Sequence, residues 1–135
     1  MALDRETYTY ELIKKYKEFT VNVVDDSMVD QVWIAGTKSG YDVDKIKLLN
    51  IRLNNSRKIA VPWIDGVLAY IGCKVDNTYD VGEVSLIIGK VVEAYADNRF
   101  YNIRYGWDLK SAKILMHNSG RVFTFNSDKW IYPEK

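Results

Sequence analysis

The 135 residues predict an α+β fold, mainly antiparallel, with short helices flanking the strands. Apolar residues at helical spacing alternate with short β-branched runs over the first 50 or so positions. From Ile51 the chain turns β-rich, with period-two alternation broken by Asn, Gly and Asp. Two of the later strands are apolar on both faces, as in a curved sheet packed against helices or a second subunit.

In chain order, Leu12, Ile13, Tyr16 and Phe19 recur at helical spacing, with Lys14, Lys15, Lys17 and Glu18 opposite. Thr9 is the expected N-cap, its hydroxyl accepting from an orphan amide. Phe19-Thr-Val-Asn-Val-Val24 is a strand by its β-branched content. Asp25 to Asp30 opens a second helix, with Ser27 and Asp30 spaced as a capping box. Met28, Val29, Val32 and Trp33 form its apolar stripe, and Gly36 is its stop. A loop over Thr37–Tyr41 leads to a short helix, Val43–Leu49, capped by Asp42.

Asn54-Asn-Ser56 marks a turn, and Pro62 keeps its surroundings at an edge or in a loop. Val67–Val75 alternates as a strand, Asn77–Gly82 supplies a turn, and Val84–Ala96 runs as a long strand. Ala112–Met116 and Val122–Phe125 flank Asn118-Ser-Gly120 as a hairpin. The tail from Asp128 to Lys135 is polar, with Trp130 and Tyr132 as docking aromatics. One domain covering residues 1–135 is expected, without linker or repeat.

Composition excludes several function classes. A net charge of +1 gives no electrostatic reason for nucleic acid or an anionic membrane as partner. The run Lys14-Lys-Tyr-Lys-Glu18 reads as a solvated helix face. A single cysteine, Cys73, allows neither an internal disulfide nor a Cys-rich zinc site; in its apolar strand it is a buried, inert thiol. No apolar run reaches the roughly 20 residues that span a bilayer. The expected address is the cytoplasm. His117, the lone histidine, precedes a hairpin turn and reads as a surface residue. There is no metal-ligand spacing, no Gly-x-Ser-x-Gly elbow and no Walker or Rossmann glycine loop, so no catalytic or metal residue is assigned.

Four blocks carry a family resemblance: Thr9-Tyr-Glu-Leu-Ile13, Phe19-Thr-Val-Asn-Val23, Ser39-Gly-Tyr-Asp-Val-Asp-Lys45 and Gly82-Glu-Val-Ser-Leu-Ile-Ile-Gly-Lys-Val91. Together they resemble the flavin-reductase-like family of FMN-binding split barrels (flavoredoxin-like) over most of Asp4–Ala96. The resemblance implies a split β-barrel, a homodimer, FMN as cofactor and NAD(P)H as a possible reductant. It also places the helix start and the Ser39–Lys45 loop beside the flavin. On that reading Thr7 and Thr9 offer hydroxyls and Arg5 a charge-assisted contact. Ser39 and Gly40 add donors and Lys45 a point charge.

Family members begin several strands earlier, so the chain is expected to be N-terminally short. The family's histidine turn reads Gly82-Glu83-Val84 here. The leading expectation is NAD(P)H-dependent flavin reduction. The alternatives are a flavin-binding electron carrier without NAD(P)H activity, and a degenerate split-barrel interaction module that has lost flavin.

Overall fold

The computed structural model describes residues 1–134. Its centre is a hairpin of two 13-residue strands, β5 (Ala69–Val81) and β6 (Val84–Ala96). Strand β2 (Glu18–Val23) pairs with β5 over Ala69–Lys74, and β1 (Ala2–Asp4) pairs with β6 over Val84–Leu86. The resulting antiparallel sheet has the order β1-β6-β5-β2. Its register shifts at Gly72/Cys73 and again at Val75/Asn77, which bends the long strands. No helix among the described residues is long and apolar enough to cross a membrane.

Helix α1 (Tyr8–Tyr16) lies over one face of this sheet. Thr7, not Thr9, is its N-cap: the Thr7 hydroxyl accepts from the Tyr10 amide and donates to the Asp4 carbonyl. The helix ends where Lys17 adopts a left-handed conformation (φ 58°) and its amide donates to the Ile13 carbonyl. The chain therefore reverses and enters the sheet as β2 one residue later. Of the expected apolar stripe, Ile13 is buried, Tyr16 is exposed, and Phe19 belongs to β2. The core joins Ile13, Phe19, Cys73 and Ile87, with Leu3, Tyr10, Ile71 and Val75 around them. Burial pushes the Cys73 thiol pKa up, consistent with an inert thiol.

The other helices keep their expected places with different caps. A single 3₁₀ turn, Asp26–Met28, precedes α2 (Val29–Thr37), and Asp25 rather than Ser27 accepts from the free amide there. Asp25, two positions earlier, itself has the extended backbone that a cap requires. Gly36 does not stop α2, which runs one residue further; the Thr37 hydroxyl donates back to the Trp33 carbonyl. Helix α3 (Lys45–Leu48) is capped by Asp44, not Asp42. The Lys47 amide, and with it the neighbouring Lys47 charge, holds the Asp44 carboxyl below the usual carboxylate range.

Beyond α3, β3 (Leu53–Asn54) and β4 (Trp63–Ile64) form a small pair whose connecting loop contains Pro62. That loop and β4 are tied to the sheet by four side chains. The Glu93 carboxylate accepts from the Arg57 and Lys58 amides, and Glu18 accepts from Ala60. The Thr20 hydroxyl donates to the Pro62 carbonyl, and Asn22 accepts from Ile64.

Strand β5 is longer than the pattern predicts, because Asn77–Asp80 remain paired with β6 and only Gly82-Glu83 turn. Polar residues are tolerated there because that end of the hairpin is exposed. Gly82 takes φ 59°, the conformation such a two-residue turn needs. The bounds of β6 match the expectation. Three short strands, β1 and the pair β7 (Tyr101–Asn102) and β8 (Gly106–Trp107), have no counterpart in the sequence reading.

The last hairpin, β9 (Leu115–Ser119) and β10 (Val122–Phe125), turns at Gly120-Arg121, so Asn118 and Ser119 of the expected Asn118-Ser-Gly120 turn belong to β9. His117 is exposed, its Nε2 2.9 Å from the Gly120 carbonyl. Trp130 and Tyr132 do not dock on the chain but are exposed, and Lys135 lies outside the described residues.

Two glycines test this packing from opposite directions. A Cβ at Gly89 would stand 2.5 Å from the buried Phe19 ring and 3.1 Å from the Cys73 side chain. A Cβ at Gly36 would meet nothing. Gly89→Ala is expected to destabilise the fold by about 1–3 kcal/mol through overpacking. Gly36→Ala, inside α2, should stabilise it by about 0.5–1 kcal/mol. Urea unfolding of the two variants beside the parent checks both signs.

Candidate functional site

The α1 N-terminus and the segment leaving α2 face each other across a cleft of about 450 Å³. One wall comprises Leu3, Glu6, Thr7, Tyr8 and Thr9; the other comprises Ala35–Gly40, with Lys45. Five of the six expected site residues thus come together: Thr7, Thr9, Ser39, Gly40 and Lys45.

Their hydrogen bonds assign them different parts. Thr7 is fully committed to capping, which leaves the Thr9 hydroxyl without a partner among the described residues. The cap reaches Tyr10 and the first helical bond reaches Glu11, so the Tyr8 and Thr9 amides remain open at the positive end of the helix. The Ser39 hydroxyl accepts from the Tyr41 amide and keeps its own proton to donate. Lys45 donates to the Ala35 carbonyl, which uses one of its three N–H bonds and brings the ammonium to the end of α2.

Gly40 is required by contact. A Cβ there would come 2.4 Å from the Tyr8 ring, so Tyr8 lies directly on the backbone of residue 40. Tyr41 completes the arrangement: its ring centroid is 4.9 Å from that of Tyr8, and its phenol donates to Glu11 at 2.7 Å. That bond to Glu11 is the main cause raising the Tyr41 pKa. Loop and helix are therefore clipped together on both sides of Gly40. Past this clip the depression continues as a second cleft of about 540 Å³, lined by Tyr8, Leu12, Tyr41, Asp42 and Val43 among others.

Arg5 stands apart. Its guanidinium donates to the Gly82 carbonyl at 2.6 Å and pairs with Asp80 at 3.4 Å, which ties it to the β5–β6 turn. It lines a different depression, with Asp4, Glu6, Tyr10, Lys14, Asp80 and Glu83. Sequence reasoning missed Tyr8, Lys38 and the end of α2. Lys38 adjoins Ser39 and was findable. The end of α2 is brought in only by the tertiary fold.

The residues suit an oxyanion: two open amides at a helix N-terminus, with Thr9, Ser39, Lys38 and Lys45, line the cleft. No group of His, Cys, Asp and Glu able to hold a metal ion is found among the described residues.

Comparison with known proteins places the chain in a family. The family described as "Flavin reductase like domain" matches residues 1–124. The chain belongs to that family. Among the relatives of this flavin reductase like domain is an uncharacterized protein of Pyrococcus abyssi, 45% identical over 92 residues, which are 68% of this chain and 52% of the relative. A flavin reductase of Pseudomonas putida is 29% identical over 108 residues, 76% of this chain and 60% of that protein. The chain thus spans about half the length of the Pyrococcus relative. In fold it matches an FMN-binding protein from Thermus thermophilus at a TM-score of 0.87, with 16% identity, covering 98% of this chain and 71% of that one. The expected split-barrel fold is therefore the one the domain adopts.

The division of labour between the two threonines is measurable. Thr7→Ala should cost about 1 kcal/mol in urea unfolding as a lost N-cap. Thr9→Ala, made at an exposed position without a cap bond, should stay within about 0.5 kcal/mol of the parent.

Proposed function

We propose that this flavin reductase like domain binds FMN and serves as an oxidoreductase in which NAD(P)H reduces the flavin. The observation that carries the reading is the convergence of Thr9, Ser39, Gly40 and Lys45 on the open end of α1. In this role the Thr9 and Ser39 hydroxyls and the Tyr8 and Thr9 amides hold the phosphate, and Lys45 and Lys38 balance its charge. Gly40 lets Tyr8 lie against the loop backbone, which fixes the distance between the two walls. Bound flavin supplies hydride- and electron-accepting chemistry; the chain supplies position, electrostatics and exclusion of water. Arg5 supports the β5–β6 turn in this reading and stays clear of the phosphate.

We take the working form as a homodimer at an address in the cytoplasm. Tyr79, Val81, Val84, Leu86 and Ile88 support the dimer: they share one face of the hairpin, and each is at least 38% exposed. A second reading, electron transfer without NAD(P)H activity, is favoured by one observation: the β5–β6 turn carries Glu83, and the chain's one histidine sits on another hairpin.

Titration with FMN and with riboflavin tests the phosphate assignment. Lys45→Ala should weaken FMN about ten-fold or more and leave riboflavin nearly unchanged. Arg5→Ala should weaken neither by more than about two-fold. Equal loss of both ligands in Lys45→Ala would overturn the assignment, and failure of the parent to take up FMN would overturn the function. Anaerobic mixing of the FMN-loaded protein with NADH and NADPH then decides between the readings, because a carrier would not bleach at a catalytic rate.

A further inference from the structure

On the sheet face turned away from α1 lies a cleft of about 660 Å³ that the flavin reading does not use. Ile71 packs into the α1 core, so its neighbours Tyr70 and Gly72 point to the other side. There Tyr70 faces Tyr95 across the β5–β6 ladder, and Trp63 of β4 stacks on Tyr70 with ring centroids 4.7 Å apart and planes 12° apart. Tyr95 completes the cluster at 5.4 Å from Trp63 and 5.9 Å from Tyr70. Tyr70 is buried, Trp63 is half-buried, and Tyr95 is 43% exposed, so the last two present ring surface to solvent.

The opposite wall is the tethered loop, with Asn54, Asn55, Arg57 and Lys58. Glu93 lies between the two walls, yet its charge is already answered. Oε1 accepts from the Lys58 amide, and Oε2 accepts from the Arg57 amide and the Tyr70 hydroxyl. Against the upward push of burial, those amides and the hydroxyl hold the Glu93 carboxyl below its usual range. Gly72 makes this possible, since a Cβ there would stand 2.7 Å from Glu93 Cγ and 3.2 Å from Ile59. The Arg57 and Lys58 side chains form no ion pair among the described residues, although the Arg57 charge also helps hold Glu93 ionised. What remains open to a ligand is aromatic surface beside two cations whose N–H groups have no side-chain acceptor.

We propose that this cleft is a second ligand site, taking a flat aromatic ring that carries an oxyanion, with the ring on Trp63 and Tyr95 and the anion on Arg57 and Lys58. Stacking accepts any flat ring, while a guanidinium selects carboxylate or phosphate, so the pair reads ring and charge together. The loop that carries both cations is held at its own backbone by Glu93, Glu18, Thr20 and Asn22, so the site is formed before a ligand arrives. FMN itself has this chemistry, which makes the two clefts separable only by their own cations: Lys45 for one, Arg57 for the other.

The test is calorimetric titration of the chain in the Lys45→Ala background, with tryptophan fluorescence read alongside. The probes are adenosine 5′-monophosphate and 4-hydroxybenzoate, with adenosine and inorganic phosphate as the separated halves. Saturable binding of at least one aromatic anion is expected, tighter than either half alone and accompanied by a fluorescence change that Trp63→Phe abolishes. Which anion binds tells a nucleotide from an aromatic acid. Arg57→Ala should weaken that binding about ten-fold or more, and should leave the preference for FMN over riboflavin intact when Lys45 is present. Absence of saturable binding by both anions, equal affinity for adenosine and its monophosphate, or affinity unchanged in Arg57→Ala would each overturn the proposal. None of these outcomes touches the phosphate assignment at Lys45.

Discussion

The Phe19 ring occupies the space where residue 89 would carry a side chain, and the rest of the structure depends on that contact. It locks β2 against β5 and β6 together, because Phe19 pairs with Cys73 in the ladder and reaches across to Gly89 on the next strand. Only one residue, the left-handed Lys17, separates Phe19's strand from α1. Where Phe19 settles therefore fixes where α1 ends, and Ile13 and Tyr10 pack in turn on the same cluster. The direction of α1 follows, and so does the position of its open amides. A helix terminus is useful for binding only if something rigid aims it, and here the aim is set by the core between helix and sheet.

The cleft also depends on a division between residues that hold the backbone and residues left free. Thr7 and Tyr41 are occupied by bonds within the chain, and those bonds leave Thr9, Ser39 and Lys38 available. Lys45 serves both ends, closing α2 through the Ala35 carbonyl while lining the cleft. The same pattern recurs on the other sheet face. There Glu93 spends its oxygens on loop amides and a buried phenol, and the adjacent Arg57 and Lys58 side chains are left without an ion pair among the described residues. In both places the groups that hold the backbone are satisfied within the chain, and the groups left without hydrogen-bond partners are those the two proposed sites use.

Much of this was legible in the sequence, for identifiable reasons. Strand β6 is legible to its true ends because apolar residues recur on both of its faces from Val84 to Ala96, between the turn residues Gly82 and Asp97. The Ser39–Lys45 loop is expected beside a flavin from the family resemblance, and the fold brings five of the six expected residues to one cleft. The caps were shifted by one or two positions wherever two candidates stand close together: Thr7 with Thr9, Asp25 with Ser27, Asp42 with Asp44. Spacing cannot separate such pairs, because the choice turns on which residue has extended backbone, and tertiary packing sets that. Arg5 was grouped with the helix start on sequence proximity, whereas its partner is the turn at Asp80–Gly82, more than seventy residues away. Strand β1 was invisible for a related reason: three residues carry no period, and only their partner β6 makes them a strand.

The account's central claim is that a phosphate is held between the α1 N-terminus and the Ser39–Lys45 loop. Amide chemical-shift mapping on uniformly ¹⁵N-labelled protein addresses it atom by atom. FMN is predicted to move the Tyr8, Thr9, Ser39 and Gly40 amides strongly, and riboflavin at equal saturation to leave those four nearly in place. If both ligands shift them equally, or if FMN moves other amides and spares these, the phosphate is held elsewhere and the account is wrong.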